Sequence, residues 1–407
     1  MENLNQQLAR NIIEQLGQSG QPPIWGHHFF SSGIDTYLDV IDEEYLNTFI
    51  KEGGAVFKIL KGQYGGGKTH FLYSVRNLAW DKNYIVSYVS LKKGESPFSK
   101  LELVYKAIIN NLIPPLKPEK LLDTTYKGIK PLIDLWIEKI DSSPTGQNIS
   151  SEERVNFINT ELDTLNHFES LSFGRAIKNA FKYRYFDDDE NFETICQWLN
   201  GEGYDRKIHG RQGIYERIDK TTAFKMIRSL VNLVNQIGFN GMVILFDEAE
   251  QIPSLSSKEK GQHLNNLREL IDVTAQAGFT NVMLFYAVPD MEFLETTGTG
   301  VYEALRQRTS TVFSEINPTG VRIELDDVIP EPIPFLEDVG SKISKIFEMA
   351  YDINLEPEKT KSIVSKVAHK AYEQRYADTG YRRIFVMKLV EDLYYLKQKG
   401  DIPTYED

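Results

Sequence analysis

Gly62-Gln63-Tyr64-Gly65-Gly66-Gly67-Lys68-Thr69 satisfies G-x-x-x-x-G-K-[ST] at every fixed position, and that pattern constrains the fold on both of its flanks. Ala55-Val56-Phe57-Lys58-Ile59-Leu60 before it reads as a buried strand. From Thr69 to Trp80 after it, Phe71, Leu72, Val75, Leu78 and Ala79 fall at helical spacing. A strand, a glycine-rich turn and a helix in that order make a phosphate-binding loop. Its glycines let successive N–H groups point at one phosphate, and the helix N-terminus adds partial positive charge. Lys68 is placed to reach the terminal phosphates, the Thr69 hydroxyl to ligate Mg²⁺, and the stretch Gly62 to His70 as a whole to line a nucleotide. The alternative is a glycine-rich turn that binds nothing, and the two flanks argue against it.

A second signature lies far downstream. Gly241-Met242-Val243-Ile244-Leu245-Phe246-Asp247-Glu248-Ala249-Glu250 is an apolar run ending in acids. A run without alternation fits a parallel strand covered on both faces, and the C-terminal end of such a strand is where an open α/β sheet places its ligands. This is a Walker B pattern, in which Asp247 holds Mg²⁺ through water and Glu248 polarises the water that attacks the γ-phosphate. A core strand that meets solvent at an acidic turn is the bland alternative. Glu250 is better read as a solvated or salt-bridged residue than as a catalytic one.

At 407 residues the chain exceeds one small core, so two to three structural units are expected, and 41% hydrophobic residues suffice to fill them. The longest apolar stretch, Val282 to Pro289, is far shorter than the ~18 residues of a membrane span, and the polar N-terminus lacks a signal peptide's apolar core. A cytoplasmic protein with no membrane partner is the expectation. Cys196, the only cysteine, excludes an internal disulfide and reads as a small core residue. A net charge of −12 argues against a generally basic surface. The best basic stretch is Tyr204 to Lys220, where Arg206, Lys207, His209, Arg211, Arg217 and Lys220 are interleaved with Tyr204 and Tyr215. It suits phosphates and bases, but a solvated loop or a protein interface is the commoner use of such a stretch.

Residues 1–54 read as a mainly helical segment, and 55–113 as the first part of an α/β core, with a second strand at Tyr84 to Leu91 and a helix from about Pro97 to Ile113. Lys68 and Asp247 stand about 180 positions apart, much more than two or three strand–helix units need, so a mainly helical insertion is placed at 114–220. The core resumes over 221–330 with the Walker B strand, a helix near His263 to Ala277, the strand Val282 to Val288, a helix ending at Arg308 and a strand at Val321 to Leu325. The alternation predicts a parallel sheet. After Pro330-Glu331-Pro332-Ile333-Pro334, helical patterns at about 335–351, 357–375 and 381–397 form a lid over 331–407. An added strand and a helical lid point, by architecture alone, to the AAA+ and STAND branch of P-loop NTPases.

Four segments together carry a resemblance. Tyr64-Gly65-Gly66-Gly67-Lys68-Thr69-His70-Phe71-Leu72, the turn Trp198-Leu199-Asn200-Gly201-Glu202, the strand from Gly238 to Glu250, and Arg383-Ile384-Phe385-Val386-Met387-Lys388-Leu389-Val390 are similar to the ATP-binding proteins of BREX-type bacterial phage-defence systems. The first and third are generic to P-loop ATPases; the Tyr-Gly-x-Gly-Lys-Thr-His form and the other two discriminate. The resemblance spans most of the chain and implies an AAA+-like ATPase that uses ATP and Mg²⁺, is encoded among anti-phage genes, often beside a helicase, and works in a nucleic-acid context. It carries Lys68, Thr69, Asp247 and Glu248 over directly. Arg383 looks similar to a lid arginine that senses the γ-phosphate, and Arg306 and Arg308 occupy the region of an arginine finger, which predicts an oligomer. For those two the alternative is a pair of surface arginines favoured by a helix C-terminus. One departure stands out. The strand ending Ala287-Val288-Pro289 has no Asn or Thr to orient the attacking water, leaving Tyr286 or Asp290 as substitutes.

Two function classes follow: an ATP-hydrolysing motor or loader that remodels a defence complex on nucleic acid, and a STAND-like switch whose nucleotide state gates assembly with little turnover. A replication initiator is disfavoured, because no winged-helix pattern follows the lid.

Overall fold

A computed structural model describes residues 4–92, 96–116, 126–147, 150–248, 255–291, 300–328, 331–375 and 380–404. Glu250 lies outside them. Six strands form one sheet: β1 Ala55–Lys61, β2 Ile85–Ser90, β3 Leu112–Ile113, β4 Met242–Asp247, β5 Val282–Val288 and β6 Arg322–Glu324. Their order is β3-β2-β4-β5-β1-β6, all parallel except the antiparallel β2–β3 pair. The fold is therefore α/β with a mostly parallel sheet. β5 separates the strand that feeds the glycine-rich loop from the strand that ends in Asp247, so both loops emerge from the same end of the sheet.

Both faces are covered, as the unbroken apolar runs of β4 and β5 require. Alternate residues of β5 divide the core. Val282, Leu284, Tyr286 and Val288 face one side, and Met283, Phe285 and Ala287 the other. The first side packs under the helices Leu101–Asn110, Ala223–Gln236 and Ser257–Ala275, and its apolar cluster continues into Ile129–Asp141, Leu171–Tyr185 and Asp189–Leu199. The second side packs under Lys68–Asp81 and Asp35–Ile41. The described residues of 114–220 include the helices Ile129–Asp141, Ser151–Thr164, Leu171–Tyr185, Asp189–Leu199 and Arg206–Arg211, separated by loops at 165–170, 200–205 and 212–220, and the turn at 198–202 is tied down. Trp198 Nε1 donates to the Glu216 carbonyl at 3.0 Å, while the buried Tyr105 hydroxyl donates to the Leu199 carbonyl at 2.7 Å, which fixes the turn to the helix Leu101–Asn110. Cys196 is buried in the same cluster.

The helix expected over Pro97 to Ile113 is shorter, because Leu112 and Ile113 pair with Ser87 and Val86 and close that edge of the sheet. Three C-terminal helices, Pro332–Tyr351, Pro357–Glu373 and Tyr381–Lys399, form a separate apolar cluster into which Gln6–Ser19 inserts Ile12, Ile13 and Leu16. Pro332 starts the first of them, where its missing N–H costs nothing. The lid meets the glycine-rich loop at Gly380. A Cβ there would stand 2.2 Å from the Tyr64 carbonyl oxygen, so the two backbones touch in a way only glycine permits.

Candidate functional site

β1 runs into Gly62, and the chain turns through Gly65 at φ +71° and Gly67 at φ +94° before the helix begins at Lys68. Both dihedrals are left-handed, which is what glycine provides at this turn. The Lys68 side chain is buried and folds back over the loop, Nζ donating to the Gly62 and Gln63 carbonyls at 2.8 and 3.1 Å. Thr69 Oγ1 donates to Asp247 Oδ2 at 2.8 Å, joining the two signatures that the sequence keeps so far apart. The Tyr88 hydroxyl donates to the same Oδ2, and the Glu248 amide to Oδ1 at 2.8 Å. Burial, and next the charge of Asp247, push the Tyr88 pKa well above 10, so this phenol remains a donor. A hydroxyl and a buried carboxylate this close are hard oxygen donors that could hold Mg²⁺, the carboxylate through water.

Glu248 follows at φ +61°, an unusual conformation for a side chain other than Gly, Asn or Asp and one that clusters at functional sites. It is exposed, its Oε2 accepts from Ser90 Oγ, and Lys92 Nζ is 4.0 Å away. Ser90 pairs with Asp247 across β2 and β4, which is how the fold brings a serine from a distant strand to the catalytic candidate.

The lid closes the other side. Arg382 Nη1 donates to the Gly66 carbonyl, and the same nitrogen stands 3.2 Å from where a Cβ on Gly67 would lie. Arg383 turns away from that spot. Its Nε donates to the Ser19 carbonyl and its Nη1 to the Tyr64 hydroxyl, both at 2.7 Å, and its guanidinium covers the Tyr64 ring at 5.2 Å. Successive helix residues point about 100° apart, so the two arginines meet different neighbours while both line the cleft. Nothing in the sequence singles out Arg382 beyond its adjacency to Arg383. Together these groups line a cleft of about 1190 Å³, its open mouth included, whose apolar wall comes from Phe30, Ile34, Leu325, Phe335, Leu336 and Val339. A cleft lined by cations, a hydroxyl–carboxylate pair and apolar side chains suits a nucleotide.

His70 also lines the cleft, with Nε2 held 2.6 Å from Ser31 Oγ. Desolvation first, then the charge of Arg382, lowers its pKa from 6.5 to about 4; desolvation does the same to His263, and His27 is lowered well below 6.5 chiefly by burial. These imidazoles are neutral in the native fold and protonate near pH 6.5 when it opens, so the unfolded chain binds more protons between about pH 4 and 6.5 and stability rises with pH across that window. The urea midpoint is expected to fall when the protein is taken from pH 7 to pH 5, and less so in His70→Gln. A midpoint unchanged over that range contradicts this.

Arg306 and Arg308 do not line this cleft. They are exposed in the last turn of the helix Gly300–Thr309, where Arg308 pairs with Asp272 and donates to the Ala304 carbonyl at 3.0 Å. Tyr286 is fully buried on a sheet face, its hydroxyl 2.5 Å from His263 Nε2. It is thus turned away from the cleft.

The sequence profile of the BREX system ATP-binding proteins BrxC/D matches residues 4–406. The chain belongs to that family. No curated protein and no solved structure is a significant match. The family description names ATP binding and the BREX system. Among the described residues no helix is long and apolar enough to cross a membrane.

Proposed function

We propose that this BREX family protein is a Mg²⁺-dependent ATPase of the P-loop NTPase class with AAA+-like architecture, working in the cytoplasm as an oligomer beside a helicase or another nucleic-acid-processing partner. The observation that carries the reading is the 2.8 Å contact from Thr69 Oγ1 to Asp247 Oδ2 at the mouth of one cleft, because metal-assisted phosphoryl transfer needs that hydroxyl and that carboxylate on one ion. The strand order supports it, with an extra strand between β1 and β4.

Thr69 and Asp247 would hold Mg²⁺, whose charge would supply electrostatic stabilisation to the phosphates. Lys68 leaves its carbonyl partners for the phosphates, the loop amides hold them, and Glu248, released from Ser90, takes the proton of the attacking water. The buried Tyr286 favours a second reading, a STAND-like switch with little turnover, since its hydroxyl is committed to His263. Steady-state hydrolysis with and without Mg²⁺ and DNA decides between them. Repeated Mg²⁺-dependent turnover is the expected result; tight ATP binding with at most one turnover under every condition would establish the switch instead.

The lid supplies a further expectation. Arg382, on the loop, is assigned the phosphate contact proposed for Arg383, while Arg383 fastens the lid to Tyr64 and Ser19. Arg382→Ala is expected to weaken ATP binding more than ADP binding by calorimetry. Arg383→Ala is expected to lower the thermal midpoint and weaken both alike. The reverse pattern would return the sensing role to Arg383.

A further inference from the structure

The basic stretch from Tyr204 to Lys220 becomes more specific once its neighbours are seen. Asp205 caps the short helix Arg206–Arg211, accepting from the Lys207 and Ile208 amides at 2.7 and 3.2 Å, and His209 is buried beneath it. Lys207 and Arg211 stand one turn apart and so share a face. Both are exposed, as are Arg206, Arg217 and Lys220, and none of the five forms a salt bridge among the described residues. The carboxylates of the same stretch are occupied. Glu202 pairs with Lys106 at 2.8 Å and Glu216 with Lys225 at 2.5 Å. Asp219 accepts from the Thr221 amide and hydroxyl at 2.8 and 2.7 Å, with Arg217 a minor influence on its charge. A chain of net charge −12 thus keeps one segment whose positive charge is left to the solvent among the described residues.

An aromatic ring stands beside the helix Arg206–Arg211. Tyr215 is 62% exposed; its ring lies over Gly210, and the Arg175 guanidinium is 5.9 Å from its centroid. Arg175 is itself anchored by the Gly213 carbonyl at 2.9 Å, so ring and cation are held together. The exposed ring thus sits beside the helix Arg206–Arg211, whose Arg206, Lys207 and Arg211 are exposed.

We propose that the segment Tyr204 to Lys220 binds single-stranded nucleic acid, with Arg206, Lys207, Arg211, Arg217 and Lys220 on phosphates and Tyr215 stacked on a base. An acidic protein segment would satisfy the cations but offer the ring no planar partner, whereas every unpaired base has a π face. A duplex offers the phosphates and hides the bases. None of these residues lines the nucleotide cleft, so the inference stands apart from the ATPase reading.

The test is fluorescence anisotropy of the full chain, without nucleotide, against a labelled single strand of about 20 nucleotides, the matching duplex and labelled polyglutamate. The single strand is expected to bind best, with an affinity that falls as salt rises. Reversing charge in Arg206→Glu/Lys207→Glu/Arg211→Glu is expected to weaken binding at least about tenfold and to flatten the logarithmic salt slope by about 2. Tyr215→Ala is expected to weaken single-strand binding roughly 5- to 100-fold with little change for the duplex. Should the triple variant fail to match the parent by circular dichroism, Tyr215→Ala and Lys207→Gln, both at exposed positions, carry the test. Absence of single-strand binding at low salt, equal binding by the variants, or polyglutamate bound as tightly as the single strand each overturns the proposal.

Discussion

Glu248→Gln is expected to bind ATP as the parent protein does and to hydrolyse it roughly 10² to 10⁴ times more slowly, the range a positioned general base contributes. The amide has the size of the carboxylate and still offers an oxygen to Ser90, so the left-handed turn at Glu248 and the Asp247 contacts behind it have no reason to move. What the amide lacks is the capacity to take a proton from water. Lys68→Ala provides the contrast. It removes the ammonium held against the loop's own carbonyls, so nucleotide affinity itself should drop, and with it any turnover. Measuring binding by calorimetry and turnover by phosphate release separates the two effects. A Glu248→Gln protein that hydrolyses ATP at the parental rate would remove Glu248 from the chemistry and leave Asp247 and Thr69 as a binding pair only.

The division between what could be read from the sequence and what could not follows the range of the interactions. The glycine-rich loop is specified by eight successive residues, and the strand before it and the helix after it are equally local, so their placement needed no tertiary information. β4 and β5 were visible as strands because burial on both faces leaves an unbroken apolar run. The contacts around Asp247 are of another kind. Tyr88 and Ser90 reach Asp247 and Glu248 only through the register of β2 against β4, two segments more than 150 positions apart. No periodicity within either segment reveals it. The same applies to the lid, where helical spacing identified Tyr381–Lys399 but not its rotation, and one residue of rotation separates Arg382 on the loop from Arg383 on Tyr64. Gln6–Ser19 shows the limit again. Its apolar stripe announces a buried face without saying that the partner is a set of helices more than 300 residues later.

Arg306 and Arg308 bear on whether catalysis belongs to one chain or to two. Both are exposed beyond the cleft of their own chain, so any role at a γ-phosphate must be played in a neighbour's site. If they act so, hydrolysis is expected to depend on protein concentration, and Arg306→Ala/Arg308→Ala is expected to lose roughly 10³-fold or more in turnover while still binding ATP, as removal of a finger supplied in trans does. Mixing is the sharper measurement. The double alanine protein keeps Glu248, and the Glu248→Gln protein keeps both arginines, so an assembly of the two contains some interfaces with every group in place. Two proteins inactive alone should then recover part of the parental rate together. The Asp272 contact permits the opposite result, because it satisfies Arg308 within its own chain. Mixtures no more active than their components, from a protein fully active at high dilution and indifferent to both substitutions, would show that these arginines only close the end of their helix.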